Sequence, residues 1–486
     1  MNKLFFNYSK PKDECAVFGI YNNKDASSLT ALGLHALQHR GQDSTGIVSF
    51  SKKGKFFGHR GMGQVSEVFG NSDVIKKLEG SSCIGHNRYG TTGESALKNV
   101  QPLFSEIHIG GIAIAHNGNL TNTSILKEKL ISNGSIFQST SDTEVILHLI
   151  STAKGSLIDR LILALKTIKG AYSLLILGEK CLVGVRDPYG IRPLVIGKLN
   201  NSYVLSSESC GLDIIGAELV RDVGPGEIVI IDDNGINSIN PFQKSILRPC
   251  LFEYIYFSRP DSILEGRSVY QVRKKIGQEL AKESSDDAEL IDTVVPIPDS
   301  GNASALGYSQ EIKKPFEFGI IRNHYTGRTF IEPTSQIRNL GVKLKHNPNF
   351  APLKDKKIAL IDDSVVRGTT SEKIVQMLRN CGAREVHMRI ASPPVKYPCY
   401  YGIDTPLKEE LLASKYSIEE ISRIIGVDSL KFISLDGVYR ALGFTKGRDN
   451  KNPQFTDHYF SGDYPVKIED KNLGAKPSQL SLLIEN

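Results

Sequence analysis

The chain has 486 residues, 40% hydrophobic and 23% charged, with a formal net charge of +6. That composition belongs to a globular protein with apolar content for two or three domains. No apolar run reaches the roughly 18–20 residues of a membrane span, residues 1–14 lack a signal-peptide core, and Lys and Arg form no long block. The expected partners are therefore small molecules, with no nucleic acid and no membrane. Seven cysteines, at positions 15, 83, 181, 210, 250, 381 and 399, include no C-x-x-C pair. This is a reduced, cytoplasmic pattern and not a disulfide framework.

Residues 1–14 are partly charged and unpatterned. From Cys15 onward, residues 16–21 predict a strand and residues 27–38 a helix, with Leu29, Leu32 and Leu37 near helical spacing. His39-Arg-Gly-Gln42 reads as a turn and residues 46–50 as a second strand. Further strands are expected at 84–89, 112–116, 172–177, 182–186, 194–196, 203–206 and 228–231, and a helix opens at Ser141-Asp142. Many short strands with few helices indicate a mainly antiparallel α+β domain. Around Asn234 to Arg248 the periodicity fades. The boundary near residue 250 divides the chain into residues 15–245 and 246–465.

Within the first part stand Cys15, His39-Arg-Gly-Gln42, His86-Asn-Arg-Tyr89, His116-Asn-Gly-Asn-Leu120 and Ser141-Asp-Thr-Glu144. Singly, each has a plain reading. A strand cysteine is a small hydrophobe, Asn-Gly marks a type I′ turn, Arg88 is a surface cation and Asp142 a helix cap. Together, in this order, they resemble the class II glutamine amidotransferase domain, an N-terminal-nucleophile hydrolase built as an αββα sandwich. The resemblance implies that the Cys15 thiolate attacks the glutamine side-chain amide, forming a thioester and releasing ammonia. It implies that the Cys15 α-amine is the base, which makes residues 1–14 a propeptide. Asn117 and the Gly118 N–H would stabilise the oxyanion, Arg88 would take the glutamine carboxylate, and Asp142 its ammonium.

Beyond residue 250 helices and apolar strands alternate, as in a parallel sheet with flanking helices. A helix is expected over residues 268–283, strands over 293–297, 358–361 and 385–390, and a helix from Ser417, with a Ser-x-x-Glu420 capping box, to Gly426. Residues 322–349 form a basic stretch with little periodicity, long enough to be a functional lid. Residues after about Val466 are polar and expected to be peripheral.

The densest stretch is KIALIDDSVVRGTTS, residues 357–371. Its unbroken apolar strand suits a sheet covered on both faces, and ligands of such sheets bind beyond the carboxyl ends, where Asp362 and Asp363 fall. Arg367, Gly368, Thr369 and Thr370 follow at a helix N-terminus, a ready phosphate site. An ordinary strand–turn–helix unit is the plain alternative. The order resembles the signature of type I phosphoribosyltransferases, which bind phosphoribosyl pyrophosphate (PRPP). In that family the two acids hold ribose hydroxyls and Mg²⁺, and the loop cups the 5′-phosphate. Pro298-Asp-Ser300 looks like the family's pyrophosphate loop, and Ser300 would join Asp362 and Asp363 around one Mg²⁺. Arg322, Arg328, Arg338, Lys343 and Lys345 would close over pyrophosphate, while His324 stands where relatives carry Arg. Tyr256 and Ser258-Arg-Pro-Asp261 also match, and would line the domain junction.

The two halves in sequence resemble the amidophosphoribosyltransferase family. Ammonia from Cys15 would displace pyrophosphate from C1 of PRPP, giving 5-phosphoribosylamine in the first step of de novo purine synthesis. The family also implies a homotetramer with purine nucleotide inhibitors. Some relatives hold a [4Fe–4S] cluster on four cysteines. Here Cys250 and Cys399 match two of those positions, but Thr456 and Tyr459 occupy the other two. No iron–sulfur cluster is expected, and the two thiols should be buried and unligated. A glucosamine-6-phosphate synthase would need a sugar-isomerase half in place of the Asp362 motif. A non-catalytic nucleotide sensor would not need Cys15 or both acids.

Overall fold

The computed structural model describes residues 15–89, 96–323, 346–403, 405 and 407–470. The proposed propeptide and the lid positions His324, Arg328, Arg338, Lys343 and Lys345 lie outside the described residues.

The first half is two stacked antiparallel sheets. One runs, in spatial order, Glu218–Asp222, Val195–Leu199, Ser202–Ser206, Ala16–Tyr21, Ser82–Arg88, Ser44–Ser51 and Lys55–Met62. The other runs Gly235–Ile239, Ile228–Asp232, Leu182–Arg186, Gly170–Gly178, Gly110–Leu120 and Leu103–Ile107. Period-2 alternation gives each sheet an inner and an outer apolar face. Val17, Val48, Ile84, Ala113, Leu175 and Leu205 fill the space between the sheets. Phe18, Ile20 and Ile47 point outward onto helix Ala26–Ala36. On the far side Ile112, Ile114, Leu174 and Ile176 meet helices Asp142–Thr152 and Leu157–Thr167. The order helix, sheet, sheet, helix is the expected αββα sandwich.

The second half is a four-stranded parallel sheet ordered Thr293–Pro296, Lys357–Asp362, Glu385–Ile390, Ser429–Phe432. In strand Lys357–Asp362, Ala359 and Ile361 enter one core while Ile358 and Leu360 enter another. That is why the strand reads as continuous apolar sequence. Helices Val269–Glu283, Asn302–Ile312 and Thr369–Asn380 flank the sheet. Helix Ile418–Ile425 carries the predicted capping box at Ser417 and ends on left-handed Gly426.

Two sequence expectations and two of the plain readings are corrected. Strands Lys55–Met62, Leu103–Ile107, Glu218–Asp222 and Gly235–Ile239 escaped the apolar pattern, because they lie at sheet edges with many exposed positions. Periodicity thus fades before the sheet does. Strand Gly110–Leu120 runs through Asn117-Gly118, which pair with Ser173 and Tyr172 and form no turn. The cap of helix Asp142–Thr152 is Ser141, not Asp142.

The fourth concerns the segment after Val466, which is not peripheral. Thr121 donates to the Lys467 carbonyl at 2.9 Å, and its own carbonyl accepts the Glu469 and Asp470 N–H groups at 3.0 and 2.9 Å. The Asp470 carboxylate accepts from the N–H of Ser124 at 2.9 Å, capping helix Thr123–Ser132, whose own Asn122 makes no side-chain cap. A strap from the second half therefore closes over the first.

Candidate active site

The first candidate site is built at one end of the sandwich. Ala16 pairs with Asn87, which places Cys15 opposite Arg88. His86 reaches across the layers to the His116 carbonyl at 3.0 Å, one residue before Asn117. Cys15 donates its S–H to the Tyr89 carbonyl at 3.8 Å, and its own carbonyl accepts from Arg40 Nε at 3.3 Å. Burial pushes the Cys15 thiol up, while the Arg88 guanidinium draws it down.

Arg88 is no surface cation, being only 4% exposed. Asp142 is also buried, which favours its neutral form. His116 at 3.4 Å and the Leu120 N–H at 3.1 Å outweigh this and hold the carboxyl below its ordinary value. Burial drives His86 down to about 3, so it is a neutral structural group. Asn117 is fully buried, and both its amide atoms lack a hydrogen-bond partner among the described residues. Such an orphaned amide costs free energy unless a ligand completes it.

The junction carries a network that local sequence reading missed. Arg40 pairs with Glu208 at 2.5 Å and Glu253 at 2.7 Å, all essentially inaccessible. Glu208 also meets His39 at 2.8 Å, the Arg259 N–H at 2.9 Å and the Ser262 hydroxyl at 2.7 Å. Burial raises the Glu208 carboxyl, but His39 and Arg40 more than reverse it. Tyr256 and Ser258 follow in the same segment, and Ser258 donates to Glu253. The contacts span 168 and 213 residues of chain, so no spacing rule reveals them. Arg40→Ala would strand two buried carboxylates. The expected cost is about 3–5 kcal/mol, read as a lowered urea midpoint; an unchanged midpoint would contradict the pairing.

At the second site the parallel sheet delivers Asp362 and Asp363 to its carboxyl end, both at most 2% exposed. Asp362 accepts the Asp363 N–H at 3.0 Å, and Asp363 accepts the Ser364 hydroxyl at 2.6 Å. Ser300 arrives on the neighbouring strand's loop, whose Ile297 N–H bonds the Ile361 carbonyl at 2.8 Å. Gly368 caps helix Thr369–Asn380 with φ +75°, which favours glycine. Thr369 is exposed, Thr370 and Arg367 partly so, and Arg367 is salt-bridged to Glu410. Arg322 lies in a short hairpin, Ile320–Arg322 with His346–Pro348, and pairs with Asp299 of the Ser300 loop. Arg273 is buried and donates to the Tyr254 and Ser258 carbonyls at 2.8 and 2.7 Å, within the junction segment. Sequence reading gave it no role.

At the position of the missing cysteines, the Tyr459 hydroxyl lies 3.3 Å from the Cys250 sulfur and 3.4 Å from that of Cys399. Cys250 is buried as expected, but Cys399 is partly exposed.

Residues 86–213 match a glutamine amidotransferase domain family and residues 267–391 a phosphoribosyl transferase domain family. Fold and sites thus define a glutamine amidotransferase joined to a phosphoribosyltransferase. An amidophosphoribosyltransferase of Rhizobium etli is 54% identical over 98% of this chain and 96% of its own length. Amidophosphoribosyltransferase 1, chloroplastic, of Arabidopsis thaliana is 50% identical over 94% and 80%. The solved glutamine PRPP amidotransferase of Bacillus subtilis, complexed with ADP and GMP, superposes with a TM-score of 0.88 at 43% identity, covering 94% of this chain and 98% of that one.

The chain belongs to the amidophosphoribosyltransferase family. It releases ammonia from glutamine and transfers it to C1 of PRPP, forming 5-phosphoribosylamine, glutamate and pyrophosphate in purine biosynthesis.

Proposed function

We propose that Cys15 is the nucleophile and that, once residues 1–14 are removed, its α-amine is the base. The thiol proton passes to that amine as sulfur bonds to the amide carbon. The ammonium returns that proton to the amide nitrogen as the collapsing oxyanion expels ammonia, and water then hydrolyses the thioester to glutamate and the free thiol. Arg88 holds the substrate carboxylate and Asp142 its ammonium, while Asn117 and the Gly118 N–H receive the oxyanion. The observation that carries this reading is the orphaned Asn117 amide, on a strand stacked against the one that Cys15 precedes. Asn117→Ala is expected to lower glutamine-dependent kcat about 10²–10³-fold; wild-type kcat would overturn the assignment. N-terminal sequencing of active enzyme should begin at Cys15. Retention of Met1 with full activity would exclude the propeptide.

In the second half Asp362 and Asp363 hold the ribose hydroxyls, and Arg367, Gly368, Thr369 and Thr370 cup the 5′-phosphate. Asp362, Asp363 and Ser300 would hold Mg²⁺, since two buried carboxylates and a hydroxyl are hard oxygen donors that suit that ion. An ion held there would supply charge neutralisation for pyrophosphate. The tyrosine hydroxyl between Cys250 and Cys399 supports a scaffold without an iron–sulfur cluster. Seven free cysteines support a cytoplasmic setting. Likeness to the Bacillus enzyme complexed with ADP and GMP supports purine nucleotides as inhibitors, while the homotetramer rests on the family resemblance alone. The domain division is set at 245/246.

A further inference from the structure

The strand that carries Asn117 and Gly118 is backed by the other half of the chain. Strand Glu385–Ile390 leaves the parallel sheet with the Ala391 N–H on the Asp362 carbonyl at 2.8 Å. The chain then crosses to the sandwich. There, a Cβ on Gly402 (φ +115°) would lie 3.0 Å from both the Cα and the carbonyl carbon of Gly118. Asn119 Nδ2 donates to the Tyr400 carbonyl at 2.9 Å, fixing the register of the contact. On its other side, a Cβ on Gly118 (φ +140°) would strike the Ala171 carbonyl oxygen at 2.0 Å. Gly118 is held between two backbones, with no room for a side chain on either glycine.

The pressing loop is itself anchored. The Tyr401 hydroxyl donates to the Val466 carbonyl at 2.6 Å and accepts the Val466 N–H at 3.0 Å. Tyr464 donates to the Pro398 carbonyl at 2.7 Å, and Cys399 N–H to the Thr405 hydroxyl at 2.6 Å. Tyr401 and Tyr459 are both fully buried, the latter between the two thiols.

We propose that the loop of residues 399–402 is a positioning element for the oxyanion donors, with Gly402 and Tyr401 as its positioning residues. Gly402 sets the depth of the Gly118 backbone by contact, and Tyr401 keeps the loop from drifting. Preorganised donors lose their effect when displaced by fractions of an ångström, so the loop acts on the transition state and not on substrate capture. This rests on the assignment of Asn117 and Gly118 to the oxyanion.

The test uses the full mature enzyme as Gly402→Ala and Tyr401→Phe. Each is expected to lower glutamine-dependent kcat about tenfold, with glutamine KM and ammonia-dependent synthesis within about twofold of wild type. Inhibition by the aldehyde analogue of glutamine, whose thiol adduct carries the oxyanion, should weaken by the same factor as kcat. If kcat and analogue affinity are unchanged in Tyr401→Phe, or if both nitrogen sources lose activity together, the loop has no positioning role. Asn117→Ala separates the premises. Normal turnover there would fail the oxyanion assignment itself, whereas loss there with none in either loop variant would overturn the loop's part alone.

Discussion

Cys15→Ala is expected to abolish glutamine-dependent 5-phosphoribosylamine formation, by about 10³-fold or more, while ammonia-dependent formation stays within about twofold of wild type. In the proposed mechanism the Cys15 sulfur forms the thioester, so its loss removes the acyl acceptor. The acceptor half keeps its parallel sheet, its two carboxylates and its anion loop untouched. Removing one small side chain at the sandwich end should not alter the urea midpoint by much, because among the described residues the thiol makes one weak hydrogen bond, at 3.8 Å. Parallel assays with glutamine and with ammonium chloride check it. Equal loss with both nitrogen sources would place Cys15 in the structure and not in the chemistry.

The opposite pattern is expected at the other end of the reaction. Asp362→Asn with Asp363→Asn should lower both glutamine- and ammonia-dependent synthesis about 10²–10³-fold, since both consume PRPP. The double variant removes two negative charges but keeps oxygen acceptors in place. Asp362 accepts the Asp363 N–H and Asp363 the Ser364 hydroxyl, and an asparagine carbonyl can take either bond. Folding should therefore survive while PRPP and Mg²⁺ affinity do not. Titration calorimetry with PRPP and Mg²⁺ separates the cases, and wild-type affinity in the double variant would remove both acids from the site.

Much of this was legible in sequence because it is local. The Asp362–Thr370 run is contiguous, and the physics that defines it acts within a few residues: a two-faced apolar strand, acids at its end, an open helix N-terminus. The capping box at Ser417 was legible for the same reason. Asn117-Gly118 was readable only as part of a set, since its plain turn reading is wrong and its strand depends on pairing with residues 170–178. The Arg40–Glu208–Glu253 network had no local signal at all. Long-range pairing also explains the missed edge strands, whose exposed positions erase the alternation that marks their neighbours.

The strap over Thr121 bears on any attempt to dissect this enzyme. A fragment ending at residue 245 would keep Cys15, Arg88, Asn117 and Asp142 but lose Lys467 to Asp470. Helix Thr123–Ser132 would then start uncapped, and Thr121 would lose three hydrogen bonds one residue from the Leu120 N–H that holds Asp142. The catalytic half is thus contiguous in its chemistry but discontinuous in its architecture, with its last piece supplied some two hundred residues downstream. An excised glutaminase would need that piece grafted back, as a tethered or added peptide, before its substrate grip could be compared with that of the whole chain.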